Sequence, residues 1–203
     1  MSIVLMNWVR VSDEVAADTD YFVTAARPNT SATMAQTSLA AAHNGGGRNV
    51  TVTTTGSSDG GKTATITGTD VDGASQSEVL TLAGSATTVA GTKIFLTVTA
   101  VEMSAQPADN ITIGFGGVAG AKIGGGGVFG SFRTTSGSAA GTCSFRTGGT
   151  AGTVIATDTS SGTAGGNNGQ VSAYGTGARL VEGMYVTYDI GDFTQIIVFY
   201  AGS

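Results

Sequence analysis

From Asn49 to Phe115 the chain alternates apolar and hydroxyl-bearing residues with a period of two, and this pattern limits the folds open to it. Val50 and Val52 alternate with Thr51 and Thr53, and Ala64 and Ile66 with Thr63, Thr65 and Thr67. Leu80 and Leu82 come next, then Ile94, Leu96 and Val98, then Ile111, Ile113 and Phe115. Successive side chains of an extended strand point to opposite faces, so this spacing gives each strand one apolar face. Most of the alternating residues are β-branched, which disfavours helix and suits a pleated surface. Gly, Asp and Ser interrupt the runs roughly every eight to twelve residues, the rhythm of a sandwich or barrel. The fold expected is all-β: antiparallel β-sandwich or barrel modules with Gly/Thr-rich loops, an N-terminal arm and at most one short helix.

Four regions are expected. Residues 1–48 form an N-terminal arm or strand, with an apolar start (MSIVLMNWVRV), an acidic patch (Asp13, Glu14, Asp18, Asp20) and Tyr21-Phe22-Val23. Within it, Ser31 to His43 has the alanine content for one short helix, capped by Thr30 or Ser31 and stopped by Asn44-Gly45-Gly46-Gly47. Residues 49–120 form a β-sandwich module, in which Asp72-Gly73 makes a hairpin turn because Gly tolerates positive φ. Residues 121–127 close the sequence AGAKIGGGG (119–127), which reads as a flexible Gly-rich joint. Residues 128–203 form a second Gly/Thr-rich β module, with Phe129, Phe132, Phe145, Val154 and Ile155 recurring among its glycines. It ends in two strands, 183–188 and 193–200, joined by the turn at Asp189–Asp192. The last strand is apolar on both faces, so it is expected to be central in its sheet or covered by another subunit.

Composition narrows the function. Charged residues are only 11% of the 203, and glycines number 33, against typical shares of about 25% and roughly 7%. A surface tiled with Thr, Ser, Asn and Gly suits a protein packed against neighbours better than a dispersed enzyme. The net charge is −5 with no Lys/Arg cluster, so no nucleic-acid partner is expected. Cys143 is the one cysteine, which excludes an internal disulfide and a thiolate metal site. Met1–Trp8 is too short to cross a bilayer and lacks a basic leader, so neither a signal peptide nor a membrane anchor is expected.

Several motifs spell chemistry that their context denies. GSSDGGKT, Gly56 to Thr63, fits the phosphate-loop pattern G-x-x-x-x-G-K-[ST]. That motif needs a helix to start at its Lys-Thr end, where free amides and the dipole meet phosphate. Here Lys62 to Thr69 alternates as a strand, so the stretch reads as a hairpin loop bent at Asp59-Gly60-Gly61, with the Asp59 carboxylate where phosphate would sit. GFGGVA, Gly114 to Ala119, matches a dinucleotide fingerprint but runs into glycines instead of a helix, and reads as a bulge or strand end. Asp70-Val71-Asp72-Gly73 lacks the remaining ligands of a calcium loop, with Thr81 where the closing Glu belongs, and reads as a turn. His43, the one histidine, has no Cys near it in sequence, and a zinc site or a Ser-His-Asp triad would have to be built around this one residue. Glu78 with Glu102, or Asp189 with Asp192, are the carboxylate pairs a glycosidase would require. The first two read as solvent-facing strand positions and the second two as turn residues. No catalytic residue, metal site or cofactor is expected.

The order of motifs from Arg48 to Gly114 is informative in another way. It runs Arg48-Asn49-Val50-Thr51-Val52, then Thr67-Gly68-Thr69-Asp70-Val71-Asp72-Gly73, then Ser77-Glu78-Val79-Leu80-Thr81. Gly91-Thr92-Lys93-Ile94-Phe95-Leu96-Thr97-Val98-Thr99 and Ala108-Asp109-Asn110-Ile111-Thr112-Ile113-Gly114 complete it. This series resembles a module of β-rich virion structural proteins of tailed bacteriophages, with Ser77 in place of the module's usual Thr. The resemblance implies a non-catalytic role on the particle. The expected function is a capsid-decorating, cement-like protein, made in the bacterial cytoplasm and residing on the virion surface. Its partners would be the major capsid protein lattice and copies of itself. The alternatives are a neck, tail or fibre component, or a glycan-binding adhesin using the loops of residues 134–170. Candidate subunit or lattice contacts are Ile3, Val4, Leu5 and Trp8 in the apolar start, with Ile197 and Phe199 in the last strand.

Overall fold

The computed structural model describes residues 6–11, 16–27, 46–124, 127–163, 178–180, 183–189 and 192–202. All regular structure among them is strand: β1 (Met6–Val11), β2 (Asp18–Ala26), β3 (Gly47–Thr54), β4 (Thr63–Thr69), β5 (Ser75–Thr81), β6 (Thr88–Phe95) and β7 (Thr97–Met103). The remaining strands are β8 (Ile111–Gly124), β9 (Gly127–Ser136), β10 (Ala140–Thr147), β11 (Thr153–Ser161), β12 (Ala178–Leu180), β13 (Met184–Asp189) and β14 (Phe193–Gly202). The expected all-β antiparallel class is therefore the observed one; the sheets stay open and pack as sandwiches without closing into barrels. The chain divides into a middle unit, Ala17–Gly117, and a terminal unit formed by Met1–Ala16 with Val118–Ser203. β8 contributes its first half to the one and its second half to the other.

In the middle unit one sheet holds β2, the start of β8, β3 and β6, and the other is ordered β5-β4-β7. The alternating residues meet between them: Val50 and Val52 from β3, Ile111, Ile113 and Phe115 from β8, Ala64 and Ile66 from β4, Val98, Val101 and Met103 from β7. Ile66, Ile111 and Ile113 are fully buried, each contributing about 1.5–3 kcal/mol relative to an exposed side chain. Asp72-Gly73 turns β4 into β5 as expected: Gly73 has φ +79° and donates its N–H to the Asp70 carbonyl at 3.0 Å. β2 is irregular, meeting β8 only at Asp18, Val23 and Ala26, with Ala25 at φ 94° between the last two contacts.

In the terminal unit the sheets are ordered β1-β14-β9-β12 and β8-β13-β10-β11. Ile196 and Val198 of β14 and Phe132 of β9 face Met184, Val186 and Tyr188 of β13, with Ala119, Ala121 and Ile123 of β8. Phe132 and Phe145 stack with centroids 4.3 Å apart. β14 lies between β1 and β9, so it is central in its sheet as expected; Ile196 and Val198 are buried in the core, and Ile197 on the other face is half-buried.

Two expectations are corrected. GSSDGGKT is not a hairpin loop: β3 pairs with β6 in one sheet and β4 with β5 and β7 in the other, so the loop arches across the sandwich. Alternation fixes which side of a strand is apolar but leaves its partner to distant segments. The residues 119–124, expected within a flexible joint, are the second half of β8. Their Ala-x-Ala-x-Ile alternation pairs with β13 and is buried despite the surrounding glycines. The helix expected at Ser31–His43 lies outside the described residues.

Candidate functional site

The loop from Gly56 to Lys62 is where the sequence spells its most specific motif. Gly61, at φ +83°, and the 3.2 Å bond from Lys62 N–H to the Asp59 carbonyl make the expected bend at Asp59-Gly60-Gly61. Beyond Lys62 the chain enters β4, as the alternation demanded, so no helix starts at the loop's Lys-Thr end. Asp59 is wholly buried. Its Oδ1 accepts from Lys62 Nζ at 2.7 Å and from Ala108 N–H at 2.6 Å, and its Oδ2 accepts from Asp109 N–H at 3.2 Å. Burial alone would raise the Asp59 pKa; the Lys62 bond, the two backbone donors and the Lys62 charge outweigh it and hold the carboxyl below its ordinary value. The motif's lysine does bind an anion, but the anion belongs to the chain. Neighbouring bonds fasten the same end of the sandwich, with Gly61 N–H to Leu82 O at 3.2 Å and Leu82 N–H to Lys62 O at 2.8 Å.

The second nucleotide-like motif, Gly114 to Ala119, runs inside β8, where a bulge or strand end was expected. Two of its glycines serve close packing: a Cβ on Gly114 would strike the Asp18 carbonyl, and one on Gly116 the Asn49 side chain. The Gly116 carbonyl accepts from the Arg48 guanidinium, whose Nε lies 3.1 Å away and whose carbon lies 4.7 Å from the Phe115 ring centre. In the Asp70 turn the carboxylate is used locally, with Oδ1 accepting from the N–H groups of Asp72 and Ala74, both at 2.9 Å.

The structure separates the first of the two carboxylate pairs. Glu78 lies opposite Ile66, and Glu102 opposite Thr65; adjacent β4 residues face opposite ways, so the two glutamates lie on opposite faces of their sheet. Glu102 is exposed as expected. Glu78 is not a solvent-facing position: it turns towards β6, accepting from Thr92 N–H at 2.8 Å, Thr92 Oγ1 at 3.0 Å and Lys93 N–H at 3.3 Å. Gln76 does likewise, donating to the Ile94 carbonyl at 2.6 Å. These two side chains tie the edge strands of the two sheets where no backbone ladder joins them. Asp189 and Asp192 bracket their turn, with Asp192 N–H bonding the Asp189 carbonyl at 3.3 Å. Burial, then the Asp189 charge, raises the Asp192 pKa. Cys143 is buried, and burial followed by the charge of Asp158 pushes its thiol up to about 12, so it is a packing residue and a poor nucleophile. Among the described residues no group of three or more His, Cys, Asp or Glu side chains is placed to hold a metal. His43 lies outside them.

Of the candidate contact residues, Ile3, Val4 and Leu5 lie outside the described residues. The structure brings two others together: Trp8 of β1 stands in register with Phe199 of β14, and Ile197, half-buried, with Arg10. Among the described residues β1 ends its sheet, as β12 does at the other side, so its outer backbone edge is one by which a further strand would extend that sheet. The most exposed large apolar side chain among the described residues is Val79 on β5, 58% exposed, on the opposite face of the sheet from Glu78. Nothing in the sequence singled it out, although its parity opposes that of Leu80. Comparison of the chain with known protein families, with curated proteins and with solved structures gave no match.

Proposed function

We propose that this chain is a non-catalytic structural protein of a tailed-phage particle, one that decorates the capsid surface and stabilises it as a small homo-oligomer. The observation that carries the reading is the placement of the module's five sequence marks. Arg48–Val52 is β3, Thr67–Gly73 is the end of β4 and its turn, Ser77–Thr81 is β5, Gly91–Thr99 is the passage from β6 into β7, and Ala108–Gly114 leads into β8. They trace successive elements of one sandwich, and Val50, Val52, Leu80, Phe95, Val98 and Ile113 from them share its core. The internally filled phosphate-like loop supports the same reading, because it takes the strongest enzymatic motif out of service. Scarce charge and an end strand such as β1 suit a protein that adheres to a lattice through apolar contacts and backbone pairing.

The purified protein, mixed with expanded empty capsids, should bind at a fixed stoichiometry and raise their melting temperature. No binding and no thermal effect, with the protein found at the neck or tail of the particle, would replace this reading by that of a connector or tail component.

A further inference from the structure

The loop at Asp59 has the parts of an anion receptor. Two backbone N–H groups, those of Ala108 and Asp109, converge with the Lys62 ammonium on one carboxylate, at 2.6 to 3.2 Å. Adjacent backbone amides pointing into one concavity are a common anion-binding device, and a lysine completes the charge. The donors are set by the fold as a whole. Lys62 is held between the Asp59 turn and the backbone exchange with Leu82, and the 107–110 segment is tied by Arg27 Nε to Pro107 O at 2.7 Å and by Thr55 to Asn110 O. None of these ties runs through the Asp59 side chain.

We propose that this is a carboxylate-binding site with Asp59 as its resident ligand, and that the emptied site takes up a small free carboxylate such as acetate or formate. Three features set the class of ligand. The site is closed, since Asp59 has no exposed surface, so only an anion near the size of the deleted side chain enters. Its donors address two oxygens, Oδ1 twice and Oδ2 once, which matches a planar carboxylate and leaves further oxygens of a phosphate without partners. The one charged donor is the Lys62 ammonium, whose single positive charge pairs a monoanion and leaves the second charge of a dianion unbalanced.

The test uses the full chain carrying Asp59→Gly, in which acetate supplies the atoms removed. Its melting temperature is followed in sodium acetate, chloride and phosphate at matched ionic strength, beside the unsubstituted protein and Asp59→Asn. With acetate at ten times its dissociation constant, ligand linkage predicts a gain of roughly 3–6 °C for the Gly variant. Chloride and phosphate should give no such gain, and neither should acetate with the unsubstituted protein or with Asp59→Asn, whose side chains fill the space. If Asp59→Gly does not stay folded, refolding yield in acetate against chloride is the readout, and a yield raised only by acetate is expected. Equal responses to all three anions, or an acetate response shared by the unsubstituted protein, would overturn the proposal. Neither result bears on whether the chain binds capsids.

Discussion

Asp59 is pulled in opposite directions by burial, which favours its neutral form, and by three hydrogen bonds that favour the carboxylate. The bonds win, so its folded-state pKa lies below the ordinary 3.8. As pH falls, the unfolded chain takes up the proton first. The stabilisation is therefore complete above the unfolded value and is lost as pH drops through the lower folded one. Asp59→Asn, which keeps the shape but leaves the Lys62 charge unpaired, should cost about 1–3 kcal/mol near neutral pH in urea denaturation. That deficit should shrink once the pH is below 3.8, where the native protein has begun to lose the same contribution. Thr51 presents the reverse case. It is buried on β3, and its Oγ1 has no hydrogen-bond partner among the described residues. Thr51→Val removes a desolvated hydroxyl at nearly constant volume and should stabilise the chain by about 1 kcal/mol, read as a higher denaturation midpoint.

At the level of the strands, the glycines of β8 separate a packing role from a binding one. A side chain at Gly114 would meet the backbone of Asp18 and Asp20, whereas nothing lies within 4 Å of one at Gly117. Gly114→Ala should cost about 1–3 kcal/mol, and Gly117→Ala should stay within about 0.5 kcal/mol, compared by thermal denaturation. If these glycines lay against a nucleotide, both changes would instead be felt in ligand affinity. The join between β5 and β6 gives a second contrast. Glu78→Ala removes the acceptor that covers the Thr92 and Lys93 amides, so it should lower the denaturation midpoint and increase self-association in sedimentation, because an uncovered strand edge pairs with other chains. Strand identity was legible in the sequence because period two is a local property: β3, β4, β7 and the start of β8 are direct consequences of it. Pairing was not, because it depends on which distant backbone completes each ladder. The backbone donors to Asp59 lie 49 and 50 residues along the chain, beyond any local motif. β8 past Gly117 was obscured by glycine and alanine, which carry little strand preference. The turn of Glu78 towards β6 was readable, since it shares the parity of Leu80 and Leu82 and so belongs to the inner face.

Across the whole chain, 11% charge and 33 glycines accompany two sandwiches with separate cores, and the titratable groups with lowered or strongly raised pKa values are committed to structure. Asp59 holds loops together, and Cys143 fills a core. Under the proposed role the chain presents surface, and a symmetric assembly would repeat that surface at a density set by its lattice. The most direct measurement is the copy number of this protein in purified particles, by quantitative mass spectrometry against the major shell protein. Decoration of the shell predicts many copies, in constant proportion to the shell subunits and lost when the outer surface is stripped. A small number set by a single ring, or no copies at all in intact particles, would contradict it.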